Sequence, residues 1–324
     1  MKSQFWLMAV IVMVSNGDAV TAQSRFPAPE SAAALKRLRG DDPVLPAWAL
    51  AMAEALPRTT GAMLHLDAVH RTQNPLGPIL AGKLRWVAAD AVGCEYAKKY
   101  AEADLVRAGM TAEDVQKLGG NIRELPEKER LALQFAHKMT KAAHTVTDAE
   151  FAEVLKAFGP DLTVALVHSL AHANFQNRIF LALGVTVETG GPLAPVDPFP
   201  DASVQAKVLA PDRPDWNTVV TKGTTLVPVA RPEWSQKSPT ELIEKKGLQK
   251  ARASRIPLPP ASQLAAIPAS SQRVVWSQVS LVYQPLLTKT WFETMGIFQQ
   301  EAKFNRVFSN SYFWVVTRSN DCFY

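Results

Sequence analysis

Apolar positions recur at helical spacing through most of the chain from residue 31 to residue 184. In residues 79–92, for example, one face carries Leu80, Leu84, Val87 and Ala91. Residues three and four apart share a face of a helix, whereas a strand with one buried face would show strict alternation. No alternating run of that kind stands out. We therefore predict an all-α protein, a bundle of about eight helices joined by short connections.

Several helix ends are marked by polar residues or by glycine. Thr111 and Thr147 are each followed by acidic residues, as is typical of threonine caps that accept a backbone hydrogen bond. Glu150 stands three residues after Thr147, which is the spacing of a capping box. The last long helix is predicted over residues 162–183, ending at Gly184, because glycine readily takes the left-handed conformation of a helix stop.

The composition changes after residue 190. Thirteen of the 23 prolines lie between residues 191 and 270, and proline at this density interrupts both helices and central strands. We predict an irregular, proline-rich linker over 191–270 with one short helix, which the capping sequence at Ser238–Glu241 would start and which would reach Lys250. Helical periodicity returns from Val274 to Tyr324.

Rare residue types repeat at a constant offset of 228 residues, which indicates a duplication. The pairs at this offset are Trp48 and Trp276, Pro57 and Pro285, Trp86 and Trp314, Cys94 and Cys322, and Tyr96 and Tyr324. A period of this length predicts duplicated domains rather than a solenoid of short repeats. We therefore expect a complete helical domain at 23–190 and the N-terminal half of a second, truncated copy at 271–324.

The first 22 residues have the pattern of a secretory signal. Lys2 precedes an apolar run over 5–14 and a polar segment that ends in Val20-Thr21-Ala22. Such a run is too short to span a bilayer, and the small residues fit a cleavage site. We predict removal after Ala22 and an exported protein, periplasmic or extracellular, with a retained N-terminal anchor as the alternative. No other segment is expected to cross a membrane.

Composition narrows the range of partners. The net charge is only +5, and the basic residues are scattered apart from a group between Lys245 and Arg255, so binding to nucleic acid is not expected. Two cysteines are too few for a disulfide-stapled fold, even where export permits disulfides. No glycine-rich phosphate loop, Gly-x-Ser-x-Gly elbow or His-Glu-x-x-His sequence is present.

Four features between Cys94 and Val185 carry a resemblance to a known superfamily. They are the Cys-x-Tyr helix start at Cys94, the segment Arg107-Ala-Gly-Met-Thr-Ala-Glu-Asp-Val115, the segments Leu125–Ala136 and His144–Ala149, and Asn174-Phe-Gln-Asn-Arg178. Their order and spacing resemble the carboxymuconolactone decarboxylase superfamily, in particular its alkylhydroperoxidase D-like, peroxidase-related branch. The resemblance implies a helical bundle of the alkylhydroperoxidase D-like type.

In that family, thiol chemistry uses a Cys-x-x-Cys pair at a helix start, a histidine four residues after the second cysteine, and a glutamate on the preceding helix. A low-pKa thiolate attacks the peroxide, and the neighbouring thiol resolves the product. By this resemblance Cys94 matches the first cysteine, whereas Ala97 and Ala101 stand at the second cysteine and the histidine. Gly82 stands where the glutamate is expected. The first copy is thus expected to be inactive, with Cys94 as a small buried hydrophobic residue.

The second copy reaches only the opening of the same helix. Cys322 takes the place of Cys94, and the sequence ends at Tyr324, one residue before the expected second cysteine. We expect a truncated sequence, with this chain inactive and a peroxidase-type oxidoreductase site at Cys322 in a fuller protein. Asn310 at the glutamate position counts against that site. A Cys94–Cys322 disulfide is disfavoured, because two helix starts in separate units rarely come within bonding distance.

Two alternatives to a thiol peroxidase stay open. A lactone decarboxylase-like enzyme would use histidines as general acid and base, and would require His65, His70, His168 or His172 to converge in one pocket. A non-catalytic helical binding or assembly module would use the duplication as an internal pseudo-dimer, or form a homo-oligomer. Expected small-molecule partners are a peroxide or a lactone-like substrate, with a thiol as reductant. No cofactor or metal is expected, and His168 and His172, one turn apart, are weak metal candidates.

Overall fold

The computed structural model describes residues 44–120, 124–198, 240–241, 243–244, 254–302 and 304–319. These residues contain eleven α-helices and no strand, so the predicted all-α class is confirmed. The signal sequence at 1–22, most of the proline-rich linker and Cys322 lie outside the described residues. Of the short helix predicted near 238–250, residues 240, 241, 243 and 244 are described, and all four are helical.

Seven helices form the first unit. They are α1 (Ala47–Ala53), α2 (Pro57–Thr72), α3 (Pro78–Ala91), α4 (Glu95–Arg107), α5 (Ala112–Gln116), α6 (Glu127–Ala142) and α7 (Asp148–Leu183). Four more helices are described after the linker: α8 (Ala261–Leu264), α9 (Val275–Tyr283), α10 (Pro285–Ala302) and α11 (Arg306–Ser319). Proline opens α2, α3 and α10, a position where its missing N–H leaves no helical hydrogen bond unmade.

The predicted caps at the starts of α5 and α7 are confirmed. The Thr111 hydroxyl accepts a hydrogen bond from the Asp114 backbone N–H at 3.1 Å. Thr147 and Glu150 form the complete capping box, in which each side chain accepts a hydrogen bond from the other residue's backbone N–H. Gly184 ends α7 in the left-handed conformation, with a φ of 64°.

α7 is longer than the sequence predicted. It begins at Asp148 rather than at Leu162, because the helix resumes directly after a kink at Gly159, whose φ is 71°. Pro160 follows in the first turn of the second segment, where proline is tolerated. Within the described ranges α7 is the one helix long and apolar enough to cross a membrane, but 44% of its apolar window is buried inside the protein. The core helix of a bundle has the same length and composition.

Three apolar clusters hold the first unit together. One lies between α1, α2, α4 and α7, and its largest members are Trp48, Tyr96, Phe175 and Phe180. The second lies between α3, α6 and α7, and includes Leu84, Leu133, Phe151, Leu166 and Leu170. The third packs α3, α4 and the short α5 together through Trp86, Ala101, Leu105 and Val115. Burying each large side chain stabilises the fold by roughly 1.5–3 kcal/mol, so these clusters fix the helices that carry the site.

α10 packs along α2 in antiparallel orientation. Glu301 near the end of α10 accepts hydrogen bonds from the Arg58 and Thr59 N–H groups at the start of α2, at 3.0 and 2.7 Å. Midway along the pair, the Thr294 hydroxyl donates to the Ala62 carbonyl at 3.3 Å. The Glu301 carboxylate therefore caps a helix whose own N-cap residue provides no side-chain hydrogen bond, and it faces the partial positive charge of that helix end.

The helix starts repeat at the same offset as the sequence. α9, α10 and α11 begin at Val275, Pro285 and Arg306, each 228 residues after the start of α1, α2 and α3. α3 and α11 also have the same length, 14 residues. In this correspondence α2 and α10 are equivalent helices, and they pack on one another. An element that packs on its own copy is the arrangement of an isologous, two-fold interface.

Two extended segments fasten the ends of the linker to the first unit. After α7, residues 185–198, here called the strap, run back over α1, α2 and α4. Before α8, the Arg255 guanidinium binds Asp148 Oδ1 at 2.6 Å and lies over the Phe151 ring. Both described ends of the linker therefore pack against the bundle.

Candidate functional site

Cys94, the predicted remnant of a thiol site, is buried at the start of α4. It occupies the N-cap position, and only 1% of its surface is exposed. Burial raises the pKa of its thiol to about 11, so the thiol stays protonated at neutral pH. Because the thiolate is the reactive form, a protonated and inaccessible thiol does not attack a peroxide. In this environment Cys94 packs as a small apolar residue.

The other three predicted positions lie in two different places. Ala97 follows Tyr96 and lines a small cavity. Ala101 is fully buried in the same cluster as Leu105. Gly82 faces this leucine as well, since a β-carbon at Gly82 would lie 2.7 Å from Leu105 Cδ2. A glutamate at position 82 would therefore displace Leu105 from the close contact between α3 and α4.

A buried network of opposite charges occupies the centre of the first unit. Arg71 of α2 donates to Asp67 Oδ2 at 2.9 Å, and to Asp104 Oδ2 and Oδ1 at 2.7 and 2.8 Å. The side chains of Arg71, Asp67 and Asp104 are 3%, 10% and 11% exposed. The two-pronged bond to Asp104 joins α2 to α4, because the guanidinium fork matches the two carboxylate oxygens. Arg71 also donates to the Leu193 carbonyl and so fixes the strap.

Three further residues complete the network. Arg85 of α3 and Arg107 of α4 donate to Asp104 Oδ2 and Oδ1, each at 2.8 Å. Gln176 of α7 donates to Asp67 Oδ1, also at 2.8 Å. Four helices, α2, α3, α4 and α7, therefore contribute polar side chains to one connected cluster. Removing one charge from such a cluster leaves its partners buried and uncompensated, which is strongly destabilising.

The charges of the network shift one another's pKa values. Burial alone would raise the pKa of Asp104, but the hydrogen bond from Arg71 and the charge of Arg85 lower it to about 2. Burial alone would lower the pKa of Arg71, but Asp67 and Asp104 hold it above its ordinary value. Asp104 and Arg71 are therefore both charged at neutral pH.

A small cavity of about 20 Å³ lies beside the network and has room for roughly one water molecule. Its polar walls are Arg71, Arg85, Tyr96, Tyr100 and Asn177, and apolar side chains of α1 and α7 close the rest. Arg85 Nε and Asn177 Nδ2 are buried and have no hydrogen-bond partner among the described residues. Buried donors are normally satisfied by protein, water or ligand. The cavity is therefore suited to a small oxygen-containing molecule or to the polar end of a larger one.

Two tyrosines and a glutamate shape the side of the cavity towards the strap. The Tyr96 hydroxyl and the Ala47 N–H both donate to Glu188 Oε1 at 2.7 Å. Tyr96 stacks on Tyr100 with ring centroids 4.7 Å apart, and the Arg71 guanidinium lies 5.4 Å from the Tyr100 ring centroid. Burial raises the pKa values of both tyrosines, so both phenols keep their protons at neutral pH.

Three of the four candidate histidines come together, but outside the cavity lining. His70 of α2 and His172 of α7 stack almost in parallel, with ring centroids 4.0 Å apart. One turn earlier on α7, His168 Nε2 lies 3.3 Å from Thr288 Oγ1 of α10. His65 is separate, and its ring is paired with a carboxylate of the strap at 3.1 Å. The histidines therefore lie at helix contacts rather than in one pocket.

The three clustered imidazoles are neutral at pH 7. Burial lowers the pKa of His168 to about 4, and burial with the charge of Arg85 lowers that of His172 to about 3. Burial and the neighbouring His172 lower the pKa of His70 well below its ordinary value. In the part of the chain that the structure describes, no group of three or more histidine, cysteine or acidic side chains could hold a metal ion.

No catalytic spacing in the sequence points to the charged network. One signal was available, since Asp67 and Arg71 stand one turn apart among the apolar residues of α2. Charged residues on a buried helix indicate an internal ion pair, because they are almost never fully buried unless paired. The other members, Arg85 and Asp104, join through packing of different helices, which spacing along the chain does not reveal.

The second copy contributes little to the described site. Cys322 lies outside the described residues, and Asn310 is exposed on α11. Comparison of the chain with known protein families, with curated proteins and with solved structures gives no match. The fold and the geometry of the site are therefore the grounds on which a function is proposed.

Proposed function

We propose that the chain is an exported carboxymuconolactone decarboxylase-like protein whose first copy is a non-catalytic helical binding and assembly module. The observation that carries the proposal is the state of Cys94, whose thiol is buried and has a pKa raised to about 11. In the peroxidase-related branch that the sequence resembles, the equivalent of Ala97 is a second thiol. Here Ala97 lines a polar cavity instead, so the site lacks the thiol pair that peroxide reduction needs.

The binding role rests on the chemistry of the cavity. Arg85 Nε and Asn177 Nδ2 offer two buried donors without partners among the described residues. The Arg71 guanidinium beside them is held in place by Asp67 and Asp104. A preformed, mostly buried cavity with a few fixed polar groups is the usual form of a ligand site. At about 20 Å³ it admits only a small group, such as a hydroxyl or one carboxylate oxygen.

The assembly role rests on the contact between α2 and α10. The two helices are equivalent at the offset of 228, and their antiparallel contact runs from Glu301 at one end to Thr294 in the middle. Trp291 of α10 also packs edge-on against Phe175 of α7, with centroids 5.2 Å apart. The second copy thereby completes the core of the first as an internal pseudo-dimer. Calorimetry should show one cooperative unfolding transition, and two separate transitions would contradict the assembly role.

Thiol labelling and peroxide turnover test the loss of thiol chemistry in the first copy. Peroxide consumption with a dithiol reductant is compared between the wild-type chain and Cys94→Ser, and an aromatic disulfide reagent counts accessible thiols. We expect equal rates and labelling of Cys94 only after unfolding, because the thiol is buried and protonated. A lower rate in folded Cys94→Ser protein would overturn the proposal.

A peroxidase-type oxidoreductase site at Cys322 is the second candidate, and one observation favours it. α11 ends at Ser319, three residues before Cys322, just as α3 ends at Ala91, three residues before Cys94. Cys322 therefore follows its helix at the same distance along the chain as Cys94 does. Peroxide turnover that is lost in Cys322→Ser but kept in Cys94→Ser would establish this site. Equal rates in wild type and Cys322→Ser would exclude it for this chain.

The lactone decarboxylase-like alternative receives less support. It needs a histidine in contact with the substrate as general acid or base. None of His65, His70, His168 and His172 is among the residues that line the cavity. The cavity is also too small for a lactone ring, since its volume is that of roughly one water molecule.

A further inference from the structure

His168 lies at the contact between the first unit and α10. Its Nε2 atom is 3.3 Å from the hydroxyl oxygen of Thr288, which belongs to the first turn of α10. The Thr288 hydroxyl is anchored by the Gln284 carbonyl at 2.7 Å and the Ser280 carbonyl at 2.9 Å. The ring of a half-buried histidine is thus directed at the start of a helix that belongs to the second copy.

The two equivalent helices α2 and α10 meet opposite chemistry at their N-termini. At the start of α2 stands the carboxylate of Glu301, which accepts the Arg58 and Thr59 N–H groups. At the start of α10 stands the imidazole of His168. A helix N-terminus carries a partial positive charge, which favours an anion and disfavours a cation. A neutral His168 is therefore compatible with the contact, whereas an imidazolium is not.

The ionisable groups around His168 do not compensate a positive charge there. On the first unit they are His70 and His172, with Asp67, Arg71 and Arg85 beyond them. Asp67 is the one carboxylate of that set, and it is already bound by Arg71 and Gln176. On the other side, Lys289 and Glu293 of α10 are exposed, and Tyr283 of α9 faces Asp161 of α7. No described carboxylate is thus available to pair with a charged His168.

We propose that His168 is a pH-sensitive latch, whose neutral imidazole permits α10 to dock on the first unit and whose imidazolium releases it. Release exposes the ring to water, so proton uptake and opening are linked. The latch goes beyond the proposed binding and assembly role, because it makes the pseudo-dimer contact depend on acidity. α6 packs on α3 and α7, and its amides therefore serve as an internal reference that stays closed.

Linkage gives the direction and size of the effect. The pKa of His168 is about 4 in the closed form, and that of a fully exposed histidine is about 6.5. Between these values the open form binds more protons, so opening becomes more favourable as the pH falls. From pH 7 to pH 5 the opening equilibrium of α10 is expected to rise by about 20-fold.

Hydrogen exchange at pH 7 and pH 5, corrected for the intrinsic exchange rate, tests the latch on the full chain. We expect the rise in peptides from α9 and α10 of the wild type, with α6 unchanged. His168→Gln keeps a polar side chain that takes up no proton, so the rise in α10 should be lost. His137→Gln replaces an exposed histidine of α6 and is the matched control, which should behave as the wild type.

Three results would overturn the latch. The first is the same rise in His168→Gln as in the wild type. The second is joint opening of α6 and α10, which would indicate global unfolding instead. If circular dichroism shows that His168→Gln is unfolded at pH 7, the wild-type profile decides, and the third result is an α10 exchange rate that does not change relative to α6.

Discussion

Gly82 of α3 lies so close to Leu105 of α4 that a β-carbon on the glycine would be 2.7 Å from Leu105 Cδ2 and 3.0 Å from Cγ. Glycine inside a helix is about 0.8–1.0 kcal/mol less favourable than alanine. The close approach of α3 and α4 therefore explains why the smallest residue stands here. It also explains why the glutamate expected from the family resemblance has no room.

Gly82→Ala is expected to lower the free energy of unfolding by about 1 kcal/mol, because overpacking outweighs the gain in helix propensity. Urea denaturation measures the change. In a Leu105→Ala background the same substitution should be neutral or stabilising, since the atoms that it meets are gone. Gly296→Ala on α10 is the control, because a β-carbon there meets nothing within 4 Å. A stabilised Gly82→Ala protein would show that Leu105 moves aside freely.

Arg71→Met removes the central charge of the buried network. We expect the free energy of unfolding to fall by about 3–5 kcal/mol, because Asp67 and Asp104 remain buried without their partner. Chemical denaturation at pH 7 gives the value. Lys117→Met is the control, since Lys117 pairs with Glu113 and Asp114 only at the surface, and its midpoint should not move. A comparable loss in both variants would contradict the role of burial.

The stacked pair His70 and His172 makes stability depend on pH. Both pKa values are lowered in the folded protein, so the unfolded chain binds more protons below about pH 6.5. Stability should be complete above that pH and fall towards pH 3, by up to about 1.4 kcal/mol per pH unit for each histidine. His172→Phe should flatten this slope between pH 6 and pH 4 by one proton, whereas His137→Gln should not. An unchanged slope in His172→Phe would refute the assignment.

Ala97→Cys would place a second thiol one turn after Cys94. Residues three apart at a helix start lie at a separation that a disulfide can bridge. We expect a bridge between Cys94 and the introduced thiol on mild oxidation, detected by mass spectrometry as the loss of two hydrogens. Peroxide turnover should stay absent at this site, because Gly82 and Ala101 supply no proton-transfer group. Appreciable turnover in the double variant Ala97→Cys with Cys322→Ser would show that the charged network can replace them.

Glu301 caps α2 from the other copy, so its removal should weaken both. Glu301→Ala is expected to lower the free energy of unfolding by about 1–2 kcal/mol, and Glu301→Gln by less, because the amide still accepts a hydrogen bond. Gln299→Ala, at an exposed position two residues earlier, is the control. Equal stability of Glu301→Ala and Gln299→Ala would mean that water satisfies the start of α2 equally well.

Features set by neighbours along the chain were predictable from the sequence. The capping box at Thr147 and Glu150 involves residues three apart, and the all-α class follows from a period of three to four residues. The kink at Gly159 was missed because glycine followed by proline is also the signature of a helix end. Local patterns do not show whether the next helix continues in the same direction.

Features set by helix packing were not predictable. The pairing of Arg71 with Asp104 joins residues 33 apart, and it depends on how α2 meets α4. The histidines were candidates by type, yet nothing in their spacing indicates that His70 stacks on His172, or that His168 faces another copy. The same holds for the cavity at Ala97, whose walls come from several helices. Only the tertiary structure brings these groups together.

The contact of Glu301 with Arg58 also sets the order in which the protein matures. The two residues are separated by 243 positions, and a ribosome adds about 5–20 residues per second. The start of α2 is therefore synthesised about 10 to 50 seconds before its cap exists. During that interval one flank of the first copy, including the side chains that α10 later covers, is open to water. A chaperone that shields this flank during synthesis would suppress premature association between nascent chains.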